Sequence, residues 1–126
     1  MKRRQLVLVV DDHQEILELL TRILELEGYD VVVANDGISA LALLEKRRPD
    51  LVILDIVMPE LDGFQVLDII RQRSNVPVIM LTGKREVTSV HRALVLGADD
   101  YVRKPFSAHE IADRVKAKLR RASLEY

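Results

Sequence analysis

Short, continuously apolar runs alternate along this chain with longer stretches in which apolar residues recur at helical spacing. The clearest runs cover residues 6–10, 51–54 and 78–81, and residues 31–33 form a shorter β-branched run. Residues 99–102 form a fifth, weaker candidate. Apolar runs of this length, without polar alternation, are typical of parallel strands that are buried on both faces.

Each run is followed by a helical pattern, and three of these patterns have a recognisable stop. The first helix, with Leu20 and Ile23 on its apolar face, is predicted to end at Gly28, the second before Pro49 and the fourth at Gly97. Five strands that alternate with five helices predict right-handed crossovers and a doubly wound α/β fold. We therefore expect a (βα)5 domain with an open parallel sheet and helices on both of its faces.

Composition narrows the class of protein. A chain of 126 residues with 48% hydrophobic and 31% charged side chains is expected to fold as one domain, residues 1–126. The net charge of −1 argues against a nucleic-acid surface on this domain, and the lack of cysteine excludes thiolate chemistry. No apolar stretch has the length of a signal peptide core or a membrane span, so we expect a cytoplasmic protein without membrane contact.

Polar residues follow four of the predicted strands. Asp11 and Asp12 follow the first, Asp55 ends the third, Thr82 ends the fourth and Lys104 follows the fifth. Ligands of open α/β sheets bind beyond the carboxyl ends of the strands, so these residues are expected on one rim. Neighbouring carboxylates repel one another unless a hard divalent cation such as Mg²⁺ lies among them. A cation beside a lysine suits phosphoryl transfer, for which an aspartate can be the nucleophile.

Several of these residues also have a structural interpretation. Residues 12–15 read as a capping box, so Asp12 is as much a candidate for the helix cap as for a ligand. Lys104 alone would be read as a solvated loop residue, and Thr82 alone as a strand-end hydroxyl. Asp11 has fewer structural explanations, because an acid directly after five buried apolar residues needs a partner.

Other polar residues are interpreted as structural. Asp36 and Asp62 each precede a glycine and are predicted to form turns or helix caps. Gly63 is predicted to allow an unusual backbone angle or a close approach. The histidines lack metal-ligand spacing and are interpreted as surface residues: His13, His91 and His109. His13 nevertheless adjoins the acidic rim, where it could tune the acids.

A series of short motifs resembles those of the response-regulator receiver family. In chain order they are Val9-Val10-Asp11-Asp12, Leu54-Asp55-Ile56-Val57-Met58-Pro59, Asp62-Gly63, Leu81-Thr82-Gly83, Gly97-Ala98-Asp99-Asp100-Tyr101 and Lys104-Pro105-Phe106. Each motif alone is weakly specific, but their order, each at a predicted strand end, is highly specific. The resemblance covers about residues 5–121. It implies the flavodoxin-like strand order 2-1-3-4-5.

The resemblance implies a metal site and a phosphoacceptor. Asp55 would accept a phosphoryl group from a phosphohistidine on a sensor histidine kinase. Asp12 would bind Mg²⁺ directly, Asp11 directly or through water, and the backbone carbonyl of Val57 would complete the protein ligands. We also hypothesise that Val57 and Lys84 control the lifetime of the phosphate by limiting the approach of water.

The resemblance also implies a switch rather than a turnover enzyme. Lys104 would pair with the phosphoryl oxygens, Thr82 would bond one of them, and Tyr101 would turn inward behind Thr82. The Lys104–Pro105 bond would be cis, which X-Pro bonds permit at modest cost. Phosphorylation would thereby repack the face formed by the fourth helix, the fifth strand and the fifth helix.

The same face has charged residues that resemble the dimer interface of receivers attached to winged-helix (OmpR-like) transcription factors. They are Asp99, Asp100, Glu110, Arg114 and Arg121. Val90 and Val95 stand where charged partners are expected, so some interface ion pairs would be missing. Homodimerisation through this face therefore remains an open alternative, as does attachment to a DNA-binding effector domain.

Three other functions agree less well with the sequence. A phosphorylation-independent interaction module on the same fold would be expected to lack Asp55, Lys104 or Thr82, and none is missing. A flavodoxin-like mononucleotide binder needs a phosphate loop after the first strand, where residues 11–12 would repel phosphate. A phosphatase with an aspartyl-phosphate intermediate should have a second acid two residues after its nucleophile, where this chain has Val57.

Overall fold

The computed structural model describes the backbone of residues 3–83 and 87–124 and the side chains of residues 3–83 and 91–121. Strands and helices alternate throughout, which confirms the predicted (βα)5 pattern. The elements are β1 Leu6–Val10, α1 Gln14–Leu26, β2 Asp30–Ala34, α2 Gly37–Arg47, β3 Leu51–Asp55, α3 Gly63–Arg73, β4 Val78–Thr82, α4 Val87–Leu96, β5 Asp100–Arg103 and α5 Ala108–Leu124.

The strands form one parallel sheet in the order β2-β1-β3-β4-β5, as predicted. Every residue of β1, β3 and β4 is buried, whereas β2 at one edge and β5 at the other are partly exposed. This difference explains why the three central strands read as continuous apolar runs and the edge strands gave weaker signals.

Alternate residues of each central strand enter two separate cores. Leu8 and Val10 pack under α2, α3 and α4, whereas Val7 and Val9 point to the opposite face and pack under α1 and α5. Burial of one such side chain stabilises the fold by about 1.5–3 kcal/mol. The sheet is therefore held from both sides, and its carboxyl edge is left for the polar side chains. Within the described residues, no helix combines the length and hydrophobicity needed to cross a bilayer.

The start of α1 differs from the prediction. The N-cap residue is His13, and its side chain makes no capping bond. The backbone N–H of His13 instead donates to Oδ1 of Asp11 at 2.9 Å. The capping-box alternative for Asp12 is therefore wrong, because the helix begins one residue later, with His13 as its N-cap.

Two other acids do cap helices, as predicted. Asp36 accepts a bond from the backbone N–H of Ser39 at 2.7 Å at the start of α2. Asp62 begins α3 with a full capping box, in which its side chain and that of Gln65 each accept a backbone N–H at 2.9 Å. Both carboxylates therefore stabilise helix ends, and neither belongs to the acidic cluster described below.

Gly63 lets α3 begin directly against the end of β3. Its N–H donates to the backbone oxygen of Ile56 at 2.9 Å. A Cβ at this position would overlap the backbone oxygen of Asp55 and approach Cα of Ile56 to 2.7 Å. The predicted close approach is thus confirmed, and it holds the loop after Asp55 in place.

We predict that Gly63→Ala lowers the free energy of unfolding by about 1–3 kcal/mol, because the new methyl group displaces backbone rather than a flexible side chain. Urea denaturation measures the change. Gly83→Ala is the matched control, because a Cβ there meets no described atom within 4 Å. Equal stability of the two variants would contradict the prediction.

Candidate functional site

Two buried acids lie side by side at the carboxyl edge of the sheet. Asp11 follows β1 and is fully buried, and Asp55 ends β3 and is 4% exposed. Because β1 and β3 are hydrogen-bonded neighbours, their ends meet at the same point of the rim. Asp12 follows Asp11, and its side chain is 29% exposed. Three carboxylates therefore converge, as the sequence predicted.

Lys104 joins the two buried acids. Its Nζ lies 3.0 Å from Oδ2 of Asp11 and 3.3 Å from Oδ1 of Asp55. The backbone positions this side chain, because the N–H of Lys104 donates to the carbonyl of Thr82 at 2.7 Å. The Lys104–Pro105 peptide bond is cis, in agreement with the expectation. The ammonium group therefore supplies the positive charge that the two buried carboxylates need.

Thr82 completes the rim at the end of β4. The residue is 1% exposed, and its hydroxyl donates to the adjacent carbonyl of Gly83 at 3.3 Å. This bond is long for a hydroxyl donor, so little energy holds the group in its present direction. Tyr101 lies on the neighbouring strand β5, half-buried against the core under α2, α3 and α4.

The close packing of these charges shifts their pKa values. Burial, followed by the charge of Asp11, raises the pKa of Asp55 to about 6, although Lys104 acts in the opposite direction. Burial alone would lower the pKa of Lys104, but its hydrogen bond to Asp11 and the charge of Asp55 raise it. Lys104 therefore stays charged, whereas burial makes Asp55 harder to ionise than an ordinary aspartate.

His13 lies nearer to the acids than its interpretation as a surface residue implied. Its Nδ1 is 3.1 Å from Oδ1 of Asp11 and 3.1 Å from Oδ1 of Asp12. The hydrogen bond to Asp11, followed by the charge of Asp12, raises the pKa of His13. The sequence signal was its position directly after the two acids, but sequence alone could not give the direction of the ring.

The four side chains together fit a divalent cation. Ligand atoms of Asp11, Asp12, His13 and Asp55 all lie within 4.8 Å of one another. Carboxylate oxygens are the ligands that Mg²⁺ prefers, and an ion at their centre would neutralise their mutual repulsion. The Asp12 carboxylate makes no capping bond, so it remains able to face such an ion.

The loop after β3 brings Val57 beside Asp55. The backbone of Val57 acts to lower the pKa of Asp55, against the effect of burial, and the Val57 side chain is 64% exposed. Lys84, the other residue of the lifetime hypothesis, lies outside the described residues. Val57 thus presents an exposed apolar side chain two residues after Asp55.

The predicted interface residues on β5 and α5 pair within the chain. Asp100 accepts a bond from Nη1 of Arg114 at 2.7 Å, and Arg114 also lies 3.5 Å from Glu110. Asp99 instead bonds at 2.7 Å to Arg71 of α3, which packs on the opposite face of the sheet from α5. The side chain of Val90 is outside the described part, and Val95 is 71% exposed. Any dimer that uses the charged residues must compete with these intrachain ion pairs.

Comparison with known proteins assigns the family. The family model for the response regulator receiver domain matches residues 7–116. This chain therefore belongs to the response-regulator receiver family of two-component systems, as the motifs indicated.

The curated proteins that are similar to this chain are longer than it. The chain is 46% identical over 118 residues to the DNA-binding response regulator MtrA of Mycobacterium tuberculosis, covering 94% of this chain and 52% of that protein. It is 49% identical over 115 residues to the regulatory protein VanRc of Enterococcus gallinarum, covering 91% and 50%. The chain thus spans about half the length of these curated relatives.

Solved structures agree with the fold. The receiver domain protein (CheY-like) from Methanospirillum hungatei superposes with a TM-score of 0.93 at 31% identity, covering 98% of this chain and 100% of that one. NtrX from Brucella abortus gives a TM-score of 0.92 at 36% identity, covering 98% of this chain and 28% of that one. The predicted flavodoxin-like topology is therefore confirmed.

We predict that Asp55→Asn stabilises the metal-free protein by about 1–3 kcal/mol near pH 8. The folded-state pKa of Asp55, about 6, lies above its ordinary value of 3.8, so ionisation opposes folding above pH 6. As the pH falls from about 6 to about 4, the folded wild-type protein binds a proton at Asp55 that the unfolded chain does not yet bind, so the advantage of the variant shrinks and is nearly lost at pH 4.

Urea denaturation of chelator-treated protein at several pH values checks this prediction. Asp113→Asn is the matched control, because it removes a carboxylate with a 65% exposed side chain far from the cluster. The same stability difference at pH 4 and pH 8, or none at either, would show that burial of Asp55 does not have the inferred cost.

Proposed function

We propose that this chain is a phosphorylation-dependent switch that accepts a phosphoryl group on Asp55 from a sensor histidine kinase. The observation that carries the proposal is the position of Lys104 between the buried carboxylates of Asp11 and Asp55. A nucleophilic acid, a cation-binding pair of acids and a fixed ammonium group are the parts that phosphoryl transfer requires.

In the proposed transfer, a carboxylate oxygen of Asp55 attacks the phosphorus atom of the phosphohistidine. The oxygen–phosphorus bond forms while the phosphorus–nitrogen bond breaks, and the electron pair of that bond returns to the imidazole of the kinase. Asp11, Asp12, Asp55 and the backbone carbonyl of Val57 would hold Mg²⁺, which would supply positive charge for the phosphoryl oxygens. The ammonium group of Lys104 neutralises a further share of that charge.

The new group would then drive the switch. A phosphoryl group adds nearly two negative charges and new acceptor oxygens. The hydroxyl of Thr82 would leave its long bond to Gly83 and donate to a phosphoryl oxygen, and Tyr101 would move into the space behind it. Because Tyr101 lies on β5, this movement repacks the α4-β5-α5 face. One phosphoryl group suffices if the two states differ by a few kcal/mol.

The chain would assist its own phosphorylation and dephosphorylation without being a turnover enzyme. Its apolar, exposed Val57 side chain would slow the approach of water to the phosphoryl group, together with Lys84 in our hypothesis. The output is proposed to pass through the α4-β5-α5 face, either to a second copy of the chain or to an effector domain. The DNA-binding function in the name of MtrA supports an effector of that kind in a longer protein.

A phosphorylation-independent interaction module is the alternative function. The intact set of Asp55, Thr82 and Lys104 favours the phosphorylated switch. An interaction module that is never phosphorylated would gain nothing from two buried carboxylates that repel each other. Direct phosphorylation distinguishes the two functions.

We predict that acetyl phosphate with Mg²⁺ adds one phosphoryl group to the wild-type chain and none to Asp55→Asn, because the amide cannot form the acyl phosphate. Intact-mass spectrometry measures the addition. Lys104→Met should reduce the rate by at least about 100-fold, because the phosphoryl charge loses a preorganised partner.

Asp62→Asn is the control for this experiment, because Asp62 caps α3 and does not belong to the cluster. It should be phosphorylated like the wild type. Phosphorylation of Asp55→Asn, or a wild-type chain that stays unmodified with Mg²⁺ present, would refute the proposed function.

A further inference from the structure

The imidazole of His13 is turned toward the acidic cluster although the residue begins a helix. As the N-cap of α1 it has φ −99° and ψ 116°, and its side chain makes no bond to the helix. The ring nitrogen Nδ1 instead lies 3.1 Å from carboxylate oxygens of both Asp11 and Asp12. The side chain thus faces the acids, while 63% of its surface remains open to solvent.

The backbone holds the ring close to the acids. The N–H of His13 donates to Oδ1 of Asp11 at 2.9 Å, so the residue is tied to the same carboxylate at its main chain and at its ring. The carbonyl of His13 accepts the first helical bonds, from Ile16 at 3.1 Å and from Leu17 at 3.2 Å. Because the main chain of His13 is bonded at both its N–H and its carbonyl, the ring can move only by rotation about the side-chain torsions.

An ion that binds among the acids would therefore meet a nitrogen donor as well as oxygens. Ligand atoms of Asp11, Asp12, His13 and Asp55 all lie within 4.8 Å of one another. Mg²⁺ is a hard ion that prefers oxygen ligands and retains its waters, so an imidazole adds little to its affinity. First-row transition ions bind imidazole well, and their affinity for such a site rises from Mn²⁺ to Ni²⁺.

We propose that His13 is a direct ligand, through Nδ1, for a divalent first-row transition-metal ion in the acidic cluster. The inference rests on the metal site of the proposed function and extends it to the class of ion. The three carboxylates would accept Mg²⁺ or a transition ion alike, and His13 would provide the preference for the transition ion. Its ring would exchange its contacts with the two acids for one bond to the metal.

The test measures metal binding by the whole chain and does not use phosphorylation. Mn²⁺ is added at a pH of about 8, above the ordinary pKa of imidazole. Pulsed electron paramagnetic resonance then detects nitrogen coupled to the bound ion. Isothermal titration calorimetry under the same conditions gives the affinities for Ni²⁺ and for Mg²⁺.

We expect nitrogen coupling in the wild type and its loss in His13→Asn. The same variant should bind Ni²⁺ at least about tenfold more weakly, while its Mg²⁺ affinity changes by less than about threefold. His109→Asn is the matched control, because it removes an exposed imidazole that pairs with Asp113 and lies outside the cluster. It should bind all three ions like the wild type.

Two failures of this test are distinguishable. Mg²⁺ binding without nitrogen coupling to Mn²⁺, or with a coupling that persists in His13→Asn, would overturn the role of His13 and leave the proposed function intact. A wild-type chain that binds neither Mg²⁺ nor the transition ions would overturn the metal site itself, and the role of His13 with it.

Discussion

The ion pairs of Lys104 with Asp11 and Asp55 are the interaction on which the site depends. Two carboxylates at the ends of adjacent strands, almost without solvent, repel each other strongly in a medium of low dielectric. Lys104 contacts both at 3.0 and 3.3 Å and offsets part of that repulsion. The compensation is incomplete, because burial, followed by the charge of Asp11, still raises the pKa of Asp55 to about 6. The remaining electrostatic repulsion favours either the binding of a cation among the acids or the protonation of Asp55.

The fold follows from the sequence because each central strand is buried on both faces and each helix is apolar on one. The apolar runs predicted β1 with both of its ends, and β3 and β4 to within one residue. The apolar runs stop one residue short because Asp55 and Thr82, which were expected at the strand ends, continue the strand pairing but are polar. Hydrophobicity therefore marks the buried part of a strand, whereas the functional residue at its end is found from its place in the topology.

The positions of the site residues could be predicted from the topology, but their side-chain contacts could not. Parallel strands bring their carboxyl ends to one rim, so residues distant in sequence meet there. Which acid turns back to the start of α1 depends on side-chain torsions, and Asp11 makes that contact instead of Asp12. Arg71 has no sequence signal at all, yet it bonds to the carbonyls of Gly97 and Val76 at 2.7 Å each. Such contacts depend on the distance between elements, which periodicity does not encode.

The contacts at the rim also provide a path by which the proposed switch would connect a new charge on Asp55 with the α4-β5-α5 face. The backbone of Lys104 is bonded to the carbonyl of Thr82, so β4 and the loop after β5 share one connection at the rim. Tyr101 precedes that loop on β5 and is half-buried. On the same strand, Asp100 holds α5 through Arg114 at 2.7 Å. In the proposed switch, a shift of Thr82 would be transmitted along β5 to the ion pair of Asp100 with Arg114, because each link is a short contact between neighbouring elements.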